Sequence, residues 1–329
     1  MKTYRHRRGI FLIAVVVISL FILSACHTVK PYAEDGFYFD TYVKFCLYGD
    51  DRVYLDDCFD ICEENDSLLS AHDEDSLLYK LNHGDECDFS ALVPVLSDAF
   101  YYHELTGGAV APCIGAVSML WDFNDPENAQ FPGEADVSEA LKHINSSSVV
   151  ISDGDITITD PDCMIDLGFI AKGYISGIIR DYLKQNGVKS GIINLGGNVV
   201  VIGKRPDGRD YNVGIQRPFG NDAILTFFIS DSAVVTSGIY ERYFERDSKI
   251  YHHILDPDTG YPVDNDLYSV SIVSPDPVMA DALSTACLVM GREKALEFIE
   301  DIDNAEALLI DKDMNIYTSS GFPEYSLND

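Results

Sequence analysis

DLGFIAKGYISGIIRDYLKQNGVKSGIINLGGNVVVIG, residues 166–203, decides the fold class. Its first half reads as a helix from Ala171 to Gln185, stopped by Asn186 and Gly187. GIINLGGNVVVIG (191–203) then reads as two strands around a Gly pair. Outward towards the C-terminus, strands are expected near 211–217, 224–230, 233–237, 268–274, 306–310 and 314–318, with helices near 277–290 and 292–302. Towards the N-terminus, alternation from Phe37 (FYFDTYVKFCLYG) predicts a strand, and helical periods follow at 52–66 and 89–105. Asp122 to Gly133 reads as a loop, and Ser147 to Thr159 as a hairpin turning at Asp153 and Gly154. Strands outnumber helices in the second half and few alternate strictly with them, so the class is α+β rather than a doubly wound sheet.

The 329 residues are 47% apolar and 23% charged, with 24 Gly and 13 Pro, which excludes disordered, collagenous and low-complexity chains. Lys2, Arg5, Arg7 and Arg8 precede an apolar stretch, Ile10 to Leu23, that ends in Ser24, Ala25 and Cys26, the pattern of a secretory leader. The stretch is shorter than the roughly 20 residues of a spanning helix, which disfavours an uncleaved anchor. LSAC resembles a bacterial lipobox, so Cys26 is expected to carry lipid on the outer face of the cell membrane. The expected organisation is a signal peptide at 1–25, lipidated Cys26 and a tether over 26–35, and one domain over 36–329.

The formal charge is −31, and loss of residues 1–25 leaves 19 basic against 54 acidic side chains, or −35. Nucleic acid is therefore excluded as a partner, because its phosphates need a basic footprint. A phosphorylated small molecule is repelled at long range, so binding one requires a local cation. Beyond Cys26, seven Cys remain, which cannot all pair. Most lie inside apolar patterns, where a free thiol is an ordinary core residue. Cys58 and Cys62 have no nearby His and do not read as a zinc site.

Four clusters carry chemistry. In DLGFIAKGYISG (166–177), Asp166 precedes a helix start, Gly168 permits close backbone approach, and Lys172 lies in the first helical turn. A helix N-terminus with a Lys is either an anion cradle or a solvated surface. NLGGN (194–198) alone reads as a turn or bulge. TSGIYERYF (236–244) leads to HHILDPDTGYP (252–262), where His252 and His253 face opposite ways if extended, one packing and one towards a cleft. In ADALSTA (280–286), Asp281 and Thr285 share a helix face, as two oxygens for Mg²⁺ or as a capping acid beside a chance hydroxyl.

In order and spacing these clusters resemble the ApbE family of FAD:protein FMN transferases. The resemblance continues through FDTYV (39–43), LLSAHDEDSLLYKLN (68–82) and TGGAVAPCIGAVSMLWDF (106–123). It implies an α+β, T-fold-like domain with FAD in a central cleft. It also implies Mg²⁺-dependent transfer of FMN to a Thr or Ser hydroxyl of a membrane redox flavoprotein, releasing AMP. Carried over by position, Asp281, Thr285 and the Phe169 carbonyl would hold the metal. Phe39, His72, Ala109, Val110, Ala111, Asp166, Lys172 and the backbone near Leu255 would contact FAD, and His253 would be the catalytic base. The sequence departs from the family pattern at Ala111, where Asp is usual, at His72 (usually aromatic), at Asn198 (commonly Asp) and at Phe169 (commonly smaller). The alternatives are hydrolysis of FAD to FMN and AMP by the same site, and a non-catalytic flavin-binding lipoprotein.

Overall fold

In the computed structural model, residues 29–121, 123, 131–247 and 249–328 are described. The leader, Cys26 and most of the 122–133 loop lie outside them. The centre is an antiparallel eight-stranded sheet in the order β1 (Pro31–Tyr38), β2 (Thr41–Tyr48), β5 (Ser190–Leu195), β6 (Asn198–Gly203), β9 (Ala233–Gly238), β12 (Leu267–Ser274), β13 (Glu306–Asp311), β14 (Ile316–Thr318). The helices are α1 (Leu55–Leu69), α2 (Leu77–Asn82), α3 (Val93–Leu105), α4 (Gly115–Trp121), α5 (Glu134–Ala140), α6 (Ala171–Gln185), α7 (Pro277–Met290) and α8 (Arg292–Glu300). Among the described residues there are three smaller β units: β3 (Val149–Ser152) with β4 (Asp155–Ile158); β7 (Tyr211–Gln216), β8 (Ala223–Ile229) and β15 (Tyr325–Leu327); and β10 (Tyr243–Arg246) with β11 (Lys249–His252).

Both faces of the central sheet are covered. Val200, Val235, Ile272 and Leu309 enter the core shared with the helices, whereas Val201, Val234, Val273, Leu308 and Ile310 enter a second core against β7 and β8. Successive side chains of a strand point to opposite faces, so a strand buried on both sides reads as an unbroken apolar run, as VVVI and ALLI do. On α1 the buried residues Leu55, Cys58, Cys62, Asn65 and Leu69 recur at three and four, one face of a helix. The Cys58 and Cys62 pair is thus a core stripe. A third cluster gathers Val117, Trp121, Phe123, Phe244 and Leu255, and Trp121 Nε1 donates to the Gly260 carbonyl at 2.9 Å.

The helix at 171–185 and the Asp153–Gly154 turn stand as expected, the latter with two positive φ values, 54° and 87°. The strand expected from Phe37 is instead a hairpin, because Phe39 and Asp40 both take left-handed φ, 56° and 55°, and reverse the chain between β1 and β2. Strand β1 begins at Pro31, so 31–35 belong to the folded domain and the expected tether is shorter by those residues. The helix expected from 52 begins at Leu55 after a 3₁₀ turn. The β10–β11 hairpin and the short helices α2, α4 and α5 carry too few residues for a periodicity to register.

Helices α6 and α7 cross at Gly173. A Cβ there would lie 2.4 Å from the Pro277 carbonyl oxygen and 2.5 Å from Asp281 Cβ, whereas at Gly177 it would meet nothing closer than Pro277 Cγ at 3.5 Å. Gly173→Ala is therefore expected to destabilise the fold by about 1–3 kcal/mol through overpacking. Gly177→Ala is expected to gain about 0.5–1 kcal/mol from helix propensity. Urea midpoints of the two variants should move in opposite directions.

Candidate active site

The crossing of α6 and α7 builds the polar centre. Gly173 N–H, in the first turn of α6, donates to Asp281 Oδ2 at 2.6 Å. Its regular helical acceptor would be the Phe169 carbonyl four residues back. With that N–H turned to Asp281, no described donor bonds the Phe169 carbonyl, which is left with free lone pairs. Asp281 is 3% exposed, and burial pushes its carboxyl pKa up. Lys172, the Gly173 N–H and the Asn198 amide act against that shift. The Asn198 amide is buried at the start of β6, and its Nδ2 makes no full hydrogen bond, so it acts on Asp281 as a nearby dipole.

One turn along α7, Thr285 Oγ1 lies 2.9 Å from Ser237 Oγ on β9, and Ser237 Oγ lies 2.7 Å from Ser284 Oγ. Ser284 donates its proton to the Asp281 backbone carbonyl at 2.8 Å. Each hydroxyl has one proton. Ser237 must therefore donate to Ser284, and Thr285 to Ser237, which leaves the Thr285 oxygen with only lone pairs to offer. Asp281, Thr285 and the Phe169 carbonyl thus each keep oxygen lone pairs to offer, donors of the kind Mg²⁺ takes. Ser237 and Gly173 hold these groups in place; both fall inside motifs quoted above, TSGIYERYF and DLGFIAKGYISG, whose local pattern singles out neither. Gly168, singled out for close approach, instead closes an Asx turn, its N–H donating to Asp166 Oδ1 at 2.8 Å.

Lys172 bears electrostatically on Asp281, on Glu241 and on His253. Burial raises the Glu241 carboxyl pKa against the pull of Lys172 and Arg242, although the side chain still reaches solvent. His253 follows β11 and is surrounded by protein yet still partly reached by solvent, the environment of a concave wall. Its Nδ1 lies 3.3 Å from the Arg242 carbonyl, which can only accept, so Nδ1 carries the proton and Nε2 keeps a lone pair. Burial first, then the Arg242, His252 and Lys172 charges, push its pKa down to about 3. The imidazole is therefore neutral at pH 7, with the Nε2 lone pair open.

His252 faces the other way, as the extended reading requires. It is 2% exposed, and its Nε2–H donates to the Val263 carbonyl at 3.0 Å.

The remaining candidates divide by place. Asp166 accepts from Ser118 Oγ at 2.7 Å, and its backbone N–H donates to Pro112 O at 2.8 Å, which ties it to the 109–115 segment. It caps its own turn rather than α6, whose N-cap, Ile170, has no side-chain bond. Phe39 lies at the β1–β2 hairpin tip, where its N–H bonds the Asp66 carboxylate. That tip adjoins the Gly196–Gly197 turn, where a Cβ on Gly196 would strike Thr41 Oγ1 at 2.5 Å, and Asn198 follows directly.

Ala109, after Gly107 and Gly108, lines a cavity of about 630 Å³ with Asp256, Asp258 and Lys294 at the C-terminal end of α7. Val110 O bonds His103 Nδ1 at 2.7 Å, and Ala111 is buried. Leu255 is buried in the Trp121 cluster beside that cavity. His72 is exposed in the Ser70–Ser76 loop, and no described contact ties it to the Asp281 centre.

Residues 39–309 match the ApbE family. The chain is 34% identical to an FAD:protein FMN transferase of Treponema pallidum (strain Nichols), over 81% of this chain and 79% of that one. It is 32% identical to an FAD:protein FMN transferase of Klebsiella pneumoniae (strain 342), over 83% and 87%. Among solved structures, the ApbE protein of Thermotoga maritima superposes with a TM-score of 0.81 at 31% identity, covering 88% of this chain and 97% of that one. The flavin transferase ApbE of Vibrio cholerae, at 24% identity and a TM-score of 0.78 over 89% and 98%, shares the fold.

The buried His252 makes a prediction that needs no ligand. Burial, its first cause, lowers its pKa to about 4 in the folded chain, against about 6.5 unfolded. Between those values the unfolded state binds more protons, so stability is full above about 6.5 and is lost as pH falls towards 4. The expected loss from His252 is about 2 kcal/mol at pH 5. His252→Gln, which keeps a donor for Val263 and does not titrate, should lower the pH slope of urea stability by about one proton.

Proposed function

The chain belongs to the ApbE family, and we propose that it transfers the FMN moiety of FAD to a Thr or Ser hydroxyl of a partner flavoprotein and releases AMP. The observation that carries this reading is the oxygen set of Asp281, Thr285 and the Phe169 carbonyl beside Lys172, local affinity for a pyrophosphate in a strongly acidic chain. In the transfer, the acceptor oxygen bonds to the phosphorus of the FMN half, the bridging P–O bond breaks, and AMP leaves with that oxygen.

The residues fit Mg²⁺. Asp281 and Thr285 would hold it through side chains and Phe169 through its carbonyl, and Asn198 Nδ2, buried without a full partner, points to a polar neighbour still to be supplied. Once bound, such an ion draws charge from phosphoryl oxygens and steadies the leaving group. Lys172, at the start of α6, adds a fixed positive charge and the helix N-terminus favours an anion beside it. His253 Nε2 takes the proton of the attacking hydroxyl, while the Arg242 carbonyl fixes the ring's tautomer and direction.

Water in place of the acceptor would give FMN and AMP. That second reading is favoured by the solvent access His253 retains.

The acceptor is a membrane redox flavoprotein subunit, and the leader with Cys26 supports lipid attachment outside the cell membrane. Since β1 begins at Pro31, five residue steps separate the lipidated Cys from the fold, a reach of about 18 Å. The start of β1 should therefore stand close to the bilayer. Cys26→Ser is expected to leave the protein unlipidated and to move it out of the detergent-extracted membrane fraction.

With FAD, Mg²⁺ and an acceptor domain, AMP and covalent flavin are expected in equal amounts. Asp281→Asn should lower the rate about a thousandfold or more and chelator should do the same, whereas Thr285→Ser, which keeps the oxygen, should lose less than about tenfold. His253→Ala should bind FAD normally and transfer about 10²–10⁴-fold more slowly. AMP release without covalent flavin in the presence of acceptor would favour hydrolysis. Full activity in excess chelator would overturn the metal assignment.

A further inference from the structure

Segment 111–115 and segment 163–166 run side by side. Ile114 and Met164 form a parallel bridge, Gly115 N–H donates to Met164 O at 2.9 Å, and Asp166 N–H donates to Pro112 O at 2.8 Å. One residue back along each strand, the bridge sets Cys113 opposite Cys163. Paired strands lie about 4.8 Å apart, inside the 4.4–6.8 Å range of Cα separations that a disulfide needs. Both residues are 1% exposed, each thiol is the first influence on the other's protonation, and the Asn145 carbonyl lies 3.7 Å from Cys113 Sγ.

The surroundings distinguish the two sulfurs. The Cys113 contact, with a smaller contribution from His143, holds the Cys163 thiol below the ordinary range, against burial and Asp160. His143 Nδ1 is 2.9 Å from Asp160 Oδ2, and that bond favours the imidazolium. The same contact between the two cysteines, with burial, pushes the Cys113 thiol up, so Cys163 is the first of the two to offer a thiolate.

We propose that Cys113 and Cys163 are a disulfide-forming pair that, once oxidised, staples the segment carrying Ala109–Ala111 to the turn carrying Asp166. The oxidant is an external disulfide, RSSR. Cys163 thiolate attacks one sulfur of RSSR, forming a mixed disulfide and releasing RS⁻. Cys113 thiolate then attacks Cys163 Sγ, forms the intramolecular S–S bond and expels the second RS⁻. Two protein thiols are oxidised, one RSSR is reduced to two thiols, and the two protein protons end on the released RS⁻ groups. Because both sulfurs are buried in the folded chain, the exchange belongs to folding or to local opening of the 109–115 segment.

The inference is independent of the flavin transfer and is tested without it. The full chain is refolded with oxidised glutathione, its remaining thiols are blocked under denaturing conditions, and its peptides are mapped without reduction. The expected result is a loss of two reactive thiols and one linked peptide pair joining positions 113 and 163. Oxidised protein should melt on the order of 10 °C above its reduced form, and Cys113→Ala and Cys163→Ala should each abolish that difference. Full alkylation of both cysteines after oxidative refolding, linkage of either to another Cys, or a stoichiometric zinc ion held by the two thiols with His143 would overturn the proposal. The wild-type peptide map decides the matter even if a variant fails to fold.

Discussion

The bond from Gly173 N–H to Asp281 is the contact on which the site depends. It joins residues 108 positions apart and requires that Gly173 have no side chain, since a Cβ would meet both the Pro277 carbonyl and Asp281. It also gives a buried carboxylate a donor, without which a charge at 3% exposure would be strongly disfavoured. By taking the N–H that would otherwise close the first turn of α6, it leaves the Phe169 carbonyl open. One hydrogen bond thus positions the carboxylate and frees a second oxygen beside it.

The hydroxyl chain extends that logic by proton counting. Ser284 spends its proton on the Asp281 carbonyl, Ser237 on Ser284 and Thr285 on Ser237, so the last oxygen in the row presents lone pairs. Strand β9 supplies Ser237 and helix α7 supplies the other two, so the row exists only because α7 packs across that strand. In a chain of net charge −31, such local control of polarity is what makes affinity for an anion compatible with long-range repulsion.

The layers beneath hold this arrangement still. The central sheet is buried by helices on one face and by β7 and β8 on the other, so β6, β9 and β12 cannot slide without exposing apolar side chains. The β1–β2 and β5–β6 hairpin tips meet at Thr41 and Gly196, which puts Phe39 and Asn198 at the same end of the sheet. Ala109 and Asp258 border the cavity at the other end of α7, eight or more residues and about 12 Å of helix rise from Asp281.

What the sequence determined by itself is local or repeated. The helix at 171–185, the turn at Asp153–Gly154, the opposed faces of His252 and His253, and the shared face of Asp281 and Thr285 all follow from periods of two and 3.6 residues. The order of the motifs indicated the family. Tertiary structure alone decided that Gly173 rather than Gly168 is the point of close approach, that Ser237 orients Thr285, that Phe39 turns the chain where alternation suggested a continuous strand, and that Cys113 meets Cys163. The physical reason is range. A side-chain pattern reports which face of its own element is buried, but carries no record of the atom that a segment fifty or a hundred residues away will bring against that face.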